Sequence, residues 1–365
     1  MVVSTMCKNW LKRSSPRCDK ERPTIRGAVV ALRVAINGFG RIGRGYLRAS
    51  LNNPNIDVVA ANDLTSIEVN AHLLQYDSTQ GRLDRHVTVT DEGIVVGDET
   101  VKIFAERNPA ALPWKELGID VVIESTGRFT TREAAAQHLT AGARKVIISA
   151  PATDVDGTFV MGVNDHTYDA ATQHVVSNAS CTTNCFVPMV KVLDDAFGVT
   201  TGLMTTIHAY TNDQNLLDLE HKDLRRARAA AINIVPASTG AARATSLVLE
   251  SMKGRLDGTS LRVPIPVGSI TDFTAIVRST TVDEINAAFK AAASEGPLKD
   301  ILVYTDEHIV SSDIVGTPAS CTFDSLMTIA QRIDDRQSLV KIFGWYDNEW
   351  GYSNRLVDLT AHIGK

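Results

Sequence analysis

The fold of this chain is decided by residues 32–43, which read LRVAINGFGRIG. The first six form an apolar run that predicts a buried strand, and Gly38, Gly40 and Gly43 follow in a Gly-x-Gly-x-x-Gly spacing where a helical pattern begins. Asp63 ends the next apolar run, 20 residues past Gly43. This order of strand, glycine turn, helix and acidic residue is the fingerprint of a dinucleotide site, although a glycine turn with a capping aspartate is the structural alternative.

Each glycine of this turn has a separate predicted task. Gly38 allows the tight turn, Gly40 lets the backbone approach a pyrophosphate, and Gly43 permits close contact between helix and sheet. The helix N-terminus offers free N–H groups and a positive partial charge to the phosphates. Asp63 would accept hydrogen bonds from an adenosine ribose diol and repel a 2′-phosphate, so the sequence predicts NAD rather than NADP.

Strand and helix patterns alternate in the first half of the chain and change in the second. Helical patterns, notably at residues 131–141, separate several strand-like runs, which lie at residues 56–61, 87–90, 101–105, 121–124 and 146–149. This alternation predicts an α/β fold with a parallel, doubly wound Rossmann sheet. Past residue 180, longer strands with fewer crossover helices predict a second, α+β domain with a mainly antiparallel sheet.

The same patterns set the expected domain boundaries. Residues 1–31 are expected to form a disordered basic extension. Residues 32–180 are expected to form the NAD-binding domain, completed by a C-terminal helix over residues 349–365, and residues 181–348 the catalytic domain.

Composition excludes several classes of protein. The chain has 365 residues, 44% of them hydrophobic, and a net charge of −5, which argues against a globally basic nucleic-acid binder. No stretch of 18 uncharged apolar residues occurs, so the sequence predicts no membrane span. Residues 1–33 carry eight bases and two acids, a local charge of +6, which leaves −11 for the remainder.

The basic tail and the cysteines bear on the cellular compartment. The tail resembles an organelle transit peptide weakly, but its acids and prolines favour a disordered extension or an upstream translation start. Five cysteines, an odd number in irregular spacing, fit a reduced compartment better than secretion. We therefore expect a cytoplasmic protein.

The segment NASCTTNC at residues 178–185 precedes an apolar helical pattern. Ser180 is a plausible N-cap, which would place Cys181 in the first helical turn, where the helix dipole is expected to lower the thiol pKa. Cys181 is therefore a candidate nucleophile, with a small buried residue as the alternative. Cys185, one turn further, is interpreted as packing, and the spacing does not suit a metal site.

His208 lies in an apolar strand pattern, where a histidine is usually a core residue but beside an activated cysteine can act as its general base.

Three groups downstream are candidate anion sites. Arg226 lies in a mixed-charge loop, Thr239 and Gly240 stand at the beginning of a helical pattern, and Arg262 lies in a strand before Pro264. Each alone is more often a surface charge or a cap, but together they suggest a phosphorylated substrate.

Four longer motifs carry a resemblance to a known family. The segments INGFGRIGR, SNASCTTNC, HKDLRRARAAA and WYDNEWGYS resemble those of phosphorylating glyceraldehyde-3-phosphate dehydrogenases, and the similarity runs from about Leu32 to the C-terminus. The resemblance implies NAD-dependent oxidation of glyceraldehyde 3-phosphate to 1,3-bisphosphoglycerate, a glycolytic and gluconeogenic step that consumes inorganic phosphate. It also implies a homotetramer with no requirement for membrane or nucleic acid.

The resemblance implies the roles of individual residues as well. Cys181 would be the nucleophile that forms a hemithioacetal and then a thioester, and His208 the base that activates it. Cofactor contacts would come from Gly38, Gly40, Arg41, Ile42, Gly43, Asp63, Arg107, Ser125, Thr126, Ser149 and Asn348. Substrate phosphate would bind at Thr211 and Arg262, and attacking phosphate at Ser180, Thr182, Arg226, Thr239 and Gly240.

Two alternatives stay open at this stage. One is the related erythrose-4-phosphate dehydrogenase activity, which releases an acid by hydrolysis. The other is a non-enzymatic binding role of the same fold, for which the presence of Cys181, His208 and Arg262 is unfavourable.

Overall fold

A computed structural model describes residues 31–364 of the chain. The predicted basic extension lies, apart from Ala31, outside the described residues. Within the described part the helices α1–α9 are Arg41–Ser50, Ile67–Gln75, Trp114–Leu117, Arg132–Ala135, Gln137–Thr140, Cys181–Phe197, Ala241–Ala244, Val282–Ser294 and Trp350–Ile363.

The strands fall into two groups along the chain. Strands β1–β11 are Leu32–Asn37, Ile56–Asn62, Tyr76–Asp77, Gly81–Arg82, Val87–Thr90, Gly93–Val96, Glu99–Phe104, Val121–Glu124, Lys145–Ile148, Gly157–Thr158 and Val175–Ser177. Strands β12–β19 are Val199–Ala209, Val235–Ser238, Leu256–Val263, Ser269–Arg278, Leu302–Thr305, Cys321–Asp324, Ile329–Arg332 and Gln337–Tyr346.

The first sheet has nine strands in the order β10-β11-β9-β8-β1-β2-β7-β6-β5. Pairing is parallel from β10 to β7, as expected for a Rossmann sheet. The last two strands join antiparallel. The expectation that Val87–Thr90 belongs to the parallel part is therefore wrong, because the short turns on either side of β6 allow hairpins but no crossover.

The C-terminal helix α9 packs on the first sheet rather than the second. Tyr46 of α1 and Leu356 of α9 lie in one buried core, and the Tyr46 hydroxyl donates to Thr360 Oγ1 at 3.1 Å. A helix was expected at residues 131–141; two short helices, α4 and α5, form instead. The chain turns between them at Ala136, whose ψ of −13° departs from α-helical geometry.

The second sheet has the order β13-β14-β12-β15-β19-β17-β16, with β18 paired to β19. It is mainly antiparallel, as expected, and only the pairs β12–β14 and β16–β17 are parallel. Helix α6 covers this sheet, with Phe186 edge-on to Phe273 at 4.8 Å between ring centroids. Cys181, in the first turn of α6, contacts both this core and that of the first sheet.

None of the helices within residues 31–364 is long and apolar enough to span a membrane. The same residues contain no group of three histidine, cysteine or acidic side chains arranged to hold a metal ion.

Candidate active site

The glycine turn between β1 and α1 has the geometry that its sequence predicts. Gly38 has a φ of +92°, and a Cβ there would lie 2.6 Å from the backbone nitrogen of Thr126. A Cβ on Gly43 would lie 2.2 Å from the carbonyl oxygen of Gly38. Gly40, in contrast, faces open space with no atom within 4 Å of a Cβ position, which leaves room for a ligand at the helix N-terminus.

Asp63 stands beside this turn at the end of β2. Its Oδ2 accepts a hydrogen bond from the Phe39 backbone N–H at 2.8 Å, and its Oδ1 accepts one from the Thr65 N–H at 2.9 Å. These bonds fix the carboxylate at the rim of a cleft of about 340 Å³. The predicted cofactor residues that line this cleft are Gly38, Gly40, Asp63, Arg107, Ser125 and Thr126.

A larger cleft of about 820 Å³ lies between the two sheets. Ser125 and Thr126 line both clefts, so the two are neighbours. Four further predicted cofactor residues line the larger cleft, namely Arg41, Ile42, Ser149 and Asn348. The predicted catalytic and substrate residues that line it are Ser180, Cys181, His208 and Thr211. The structure thus brings most of the candidate residues to one continuous groove.

Cys181 and His208 meet in the larger cleft. Ser180 caps α6, because its Oγ accepts a hydrogen bond from the Thr183 N–H at 3.0 Å, and Cys181 then begins the helix as predicted. His208 is the penultimate residue of β12. Cys181 Sγ lies 3.5 Å from His208 Nε2, which is within hydrogen-bonding distance for sulfur.

The electrostatics of this pair differ from the expectation. Burial raises the pKa of the Cys181 thiol, although Arg262 and the Thr182 backbone N–H act in the opposite direction. Burial, with the charge of Arg262, lowers the pKa of His208 to about 3. The expectation of a lowered thiol pKa is therefore wrong, because burial disfavours the thiolate more than Arg262 and the Thr182 N–H favour it.

The other nitrogen of His208 has two close neighbours. Its Nδ1 lies 2.6 Å from the carbonyl oxygen of Ala209 and 2.7 Å from Nη1 of Arg262. Arg262 Nη1 also donates to the Ala209 carbonyl at 3.0 Å. Arg262 reaches this place because β14 pairs with β12 in a register that sets Arg262 opposite His208.

The remaining phosphate candidates, Thr182, Arg226, Thr239 and Gly240, are not among the residues that line the larger cleft. Arg226 forms salt bridges with Asp213 and Asp223. Its Nη2 lies 3.4 Å from the carbonyl oxygen of Ser238, the residue that directly precedes Thr239 and Gly240 in the sequence. The Thr182 hydroxyl is buried and shares a 2.8 Å hydrogen bond with the Tyr346 hydroxyl. Thr182 thus faces the core rather than the groove.

Two cofactor candidates have side chains that are already engaged. The Arg41 guanidinium donates to Asp77 and Glu349, so its side-chain charge is balanced. Its backbone N–H at the helix start, rather than its guanidinium, is therefore the group that suits a phosphate. Asn348 Oδ1 accepts from the Gly268 N–H at 3.2 Å and from Ser269 Oγ at 3.0 Å, which leaves Nδ2 as its donor for a carboxamide oxygen.

Sequence reasoning missed a buried polar network beneath the cofactor groove. Glu124 Oε2 is 2.6 Å from Asn37 Nδ2 and 3.0 Å from His138 Nε2, and Oε1 accepts from the Thr126 N–H at 2.9 Å. The indole N–H of Trp114 donates to His138 Nδ1 at 3.0 Å. An indole can only donate, so this bond assigns the proton of a neutral His138 to Nε2. The sequence signal that could have pointed to this network is the position of Glu124, directly before the predicted cofactor residue Ser125.

Comparisons with known proteins agree with the fold. The family model described as glyceraldehyde 3-phosphate dehydrogenase, NAD binding domain, matches residues 32–132, and the corresponding C-terminal domain model matches residues 180–348. Among curated relatives, a glyceraldehyde-3-phosphate dehydrogenase of Streptomyces coelicolor is 60% identical over 337 residues, covering 92% of this chain and 99% of the relative. Glyceraldehyde-3-phosphate dehydrogenase 1 of Bacillus subtilis is 56% identical over 337 residues, with the same coverage.

Proposed function

The chain belongs to the glyceraldehyde-3-phosphate dehydrogenase family of NAD-dependent oxidoreductases, and we propose that it oxidises glyceraldehyde 3-phosphate to 1,3-bisphosphoglycerate with inorganic phosphate. The observation that carries the proposal is the 3.5 Å contact between Cys181 Sγ and His208 Nε2 inside the larger cleft. The step serves glycolysis and gluconeogenesis.

The residues of the groove fit NAD. The open space at Gly40 and the free N–H groups at the start of α1 suit the pyrophosphate. The Asp63 carboxylate suits an adenosine ribose diol, and the Asn348 Nδ2 suits the carboxamide. When bound, NAD supplies the hydride acceptor for the oxidation.

In the first half-reaction the Cys181 thiol passes its proton to His208 Nε2. As the proton leaves, the sulfur forms a bond to the aldehyde carbon, and the carbonyl π-electrons move to oxygen to give a hemithioacetal. The protonated His208 and the backbone N–H of Cys181 stabilise the developing oxyanion. Because burial opposes separated charges at this pair, proton transfer and attack are expected to occur together.

In the second half-reaction the oxidised adduct is a thioester on Cys181. An oxygen of inorganic phosphate attacks the thioester carbon, the carbon–sulfur bond breaks, and the sulfur regains a proton as the acyl phosphate leaves. A thioester is more reactive toward phosphate than a carboxylate would be, so the energy of the oxidation is conserved in the product.

We assign the two phosphates to the two sides of His208. Arg262, beside His208, and Thr211, in the same cleft, would hold the substrate phosphate. Ser180, Arg226, Thr239 and Gly240 would hold the attacking phosphate, whereas the Thr182 hydroxyl is already bonded to Tyr346 in the core. Arg226 would exchange its acidic partners for that anion.

A steady-state assay tests the activity. NADH formation is measured with glyceraldehyde 3-phosphate and with erythrose 4-phosphate, each in the presence and absence of phosphate. Strong dependence on phosphate with glyceraldehyde 3-phosphate is expected. Turnover that does not need phosphate would point to a hydrolytic dehydrogenase, and a physiological role that survives Cys181→Ser would point to a binding protein.

We also propose a homotetramer in the cytoplasm. We propose a domain division at residues 32–180, completed by the C-terminal helix at 349–365, and residues 181–348. Apolar side chains are strongly exposed on the segment that follows β12, including Leu216, Leu224 and Ile234 at 77%, 83% and 66% exposure. Such a patch suits an interface with further copies of the chain. Light scattering should give a tetramer, and Leu224→Asp with Ile234→Asp should give smaller species if this patch is the interface.

A further inference from the structure

Asp213 stands between the larger cleft and Arg226, the arginine that we assign to the attacking phosphate. The aspartate lines this cleft, whereas the arginine does not. The two side chains form a salt bridge in which the carboxylate side chain is 49% exposed and the guanidinium side chain 16% exposed. An anion that enters from the cleft therefore meets a carboxylate before it reaches the guanidinium.

The guanidinium of Arg226 keeps a donor that its present partners do not use. Asp223 is its second acidic partner, but this carboxylate lies 3.5 Å from Nε and forms no hydrogen bond with it. Among residues 31–364 no other acceptor serves this buried Nε. A buried donor without an acceptor is costly, so an anion with several oxygens would improve the bonding of this guanidinium.

Asp213 also influences Arg262, the arginine that we assign to the substrate phosphate. Burial lowers the pKa of Arg262, the charge of Arg226 adds to this effect, and the charge of Asp213 opposes it. The Nε of Arg262, like that of Arg226, is buried without an acceptor in the described part of the chain. Asp213 is therefore a counter-ion shared by the two arginines.

The carboxylate of Asp213 is held only by side chains. Within the described residues its partners are Arg226 and, at 3.7 Å from its Oδ1, His221 Nε2, and no backbone N–H bonds to it. The carboxylate of Asp223 differs, because it also accepts from the Arg225 N–H at 2.9 Å. A half-exposed ion pair is weak, so Asp213 can rotate away from Arg226 at little cost.

We propose that Asp213 competes with the attacking phosphate, which has to displace its carboxylate from Arg226 in order to bind. The aspartate thereby lowers the affinity for inorganic phosphate and limits the positive charge that Arg226 and Arg262 together present to anions. The inference rests on the proposed function, since it gives Asp213 a role in the phosphate site proposed there.

The sign of one change in affinity separates this role from a structural one. If Asp213 only held Arg226 in place, its loss would loosen the site and weaken phosphate binding. If Asp213 competes with phosphate, its loss strengthens phosphate binding. Removal of one charge from a partly exposed ion pair corresponds to a change of about three- to tenfold.

The experiment compares the full-length wild-type enzyme with Asp213→Asn. Binding of inorganic phosphate to the NAD-loaded enzyme without aldehyde is measured by calorimetry. The KM for phosphate is measured from NADH formation with saturating NAD and glyceraldehyde 3-phosphate. We expect Asp213→Asn to lower both the dissociation constant and the KM for phosphate by about three- to tenfold.

Two further variants serve as controls. Asp213→Glu keeps a negative charge within reach of Arg226, so it should restore the weaker phosphate binding of the wild-type enzyme. Asp218→Asn removes a carboxylate from the same segment, but one that pairs with Arg228. At the same ionic strength it should leave the affinity for phosphate unchanged.

The outcomes are distinguishable. A dissociation constant for phosphate that rises or stays constant in Asp213→Asn overturns the inference. An equal gain of affinity in Asp213→Glu or in Asp218→Asn overturns it as well. In each case phosphate-dependent turnover of the wild-type enzyme leaves the proposed function standing. Wild-type turnover of glyceraldehyde 3-phosphate that needs no phosphate overturns the proposed function and the inference with it.

Discussion

Cys181 Sγ and His208 Nε2 lie 3.5 Å apart, although 27 residues separate them along the chain. The cysteine begins α6, and the histidine lies near the end of the strand that follows this helix. The helix packs across the second sheet, so its N-terminus arrives at the end of β12 where His208 lies. The pair therefore depends on the packing of one helix against one sheet.

The two cysteines of α6 should differ sharply in function. Cys181→Ser should abolish the first turnover of NADH formation, since a hydroxyl is a far weaker nucleophile than a thiol. Cys185 is fully buried beside Met189 and Gly344, so Cys185→Ser should keep activity and lose stability. Stopped-flow kinetics and thermal unfolding of both variants check this. Equal loss of activity in both would remove Cys181 from the nucleophile's role.

Loss of the base should slow acylation without weakening cofactor binding. His208→Asn removes the group that accepts the thiol proton, and we expect the acylation rate constant to fall by about 10²–10⁴. The dissociation constant for NAD, measured by calorimetry, should stay unchanged because His208 lies at the substrate end of the groove. An unchanged acylation rate would show that the thiol proton leaves by another route.

Asp63 should set the preference for NAD over NADP. Asp63→Asn removes the charge that repels a 2′-phosphate and weakens the bonds to ribose, so the ratio of NAD to NADP affinity should fall by about ten- to a hundredfold. Glu106→Gln is the matched control, because Glu106 lines the same cleft and bonds to the Asn108 backbone. A similar fall in the control would indicate a general effect of charge.

The network beneath the cofactor groove should link stability to NAD affinity. Trp114→Phe leaves His138 Nδ1 without its donor in a fully buried place, at a cost of about 1–3 kcal/mol of unfolding free energy. NAD affinity should fall about fivefold, because His138 positions Glu124, which holds Thr126.

Trp345→Phe provides the comparison for this network. It removes a similar indole donor, to Asp324 at 3.0 Å, in the second sheet. It should lower the unfolding temperature without changing NAD affinity. If both variants weaken NAD binding equally, the network has no special link to the cofactor.

Asp156 should make stability depend on pH. Burial alone would raise the pKa of its carboxyl group, but Arg132 and the backbone N–H groups of Val175 and His174 hold it below its ordinary value. A lowered pKa in the folded state gives stability that is present above the unfolded value of about 4 and is lost as pH falls through the folded value.

Asp156→Asn should therefore destabilise the protein at pH 7, and the difference from the wild-type protein should shrink below about pH 4. Urea unfolding across this pH range measures it. A difference that stays constant with pH would mean that the carboxylate charge is not the source of the stability.

Much of the fold could be predicted because it depends on local patterns. The order of residues 32–43 is enough to specify a strand, a left-handed glycine and a helix, and the structure has all three. The prediction that Val87–Thr90 pairs in parallel is wrong, because a short apolar run does not show whether its strand runs parallel or antiparallel to its neighbour. Direction follows from the turns on either side of β6, which are too short for a crossover.

The sequence by itself therefore determined the Rossmann turn, the cap at Ser180 and the position of Cys181 in the first helical turn, because these depend on neighbours within a few residues. Only the tertiary structure decided which groups surround them. The contact of Arg262 with His208, the engagement of Arg41 by Asp77 and Glu349, and the buried Glu124–His138 network join distant segments. The raised pKa of the Cys181 thiol likewise follows from burial, a property that arises only when the whole chain has packed.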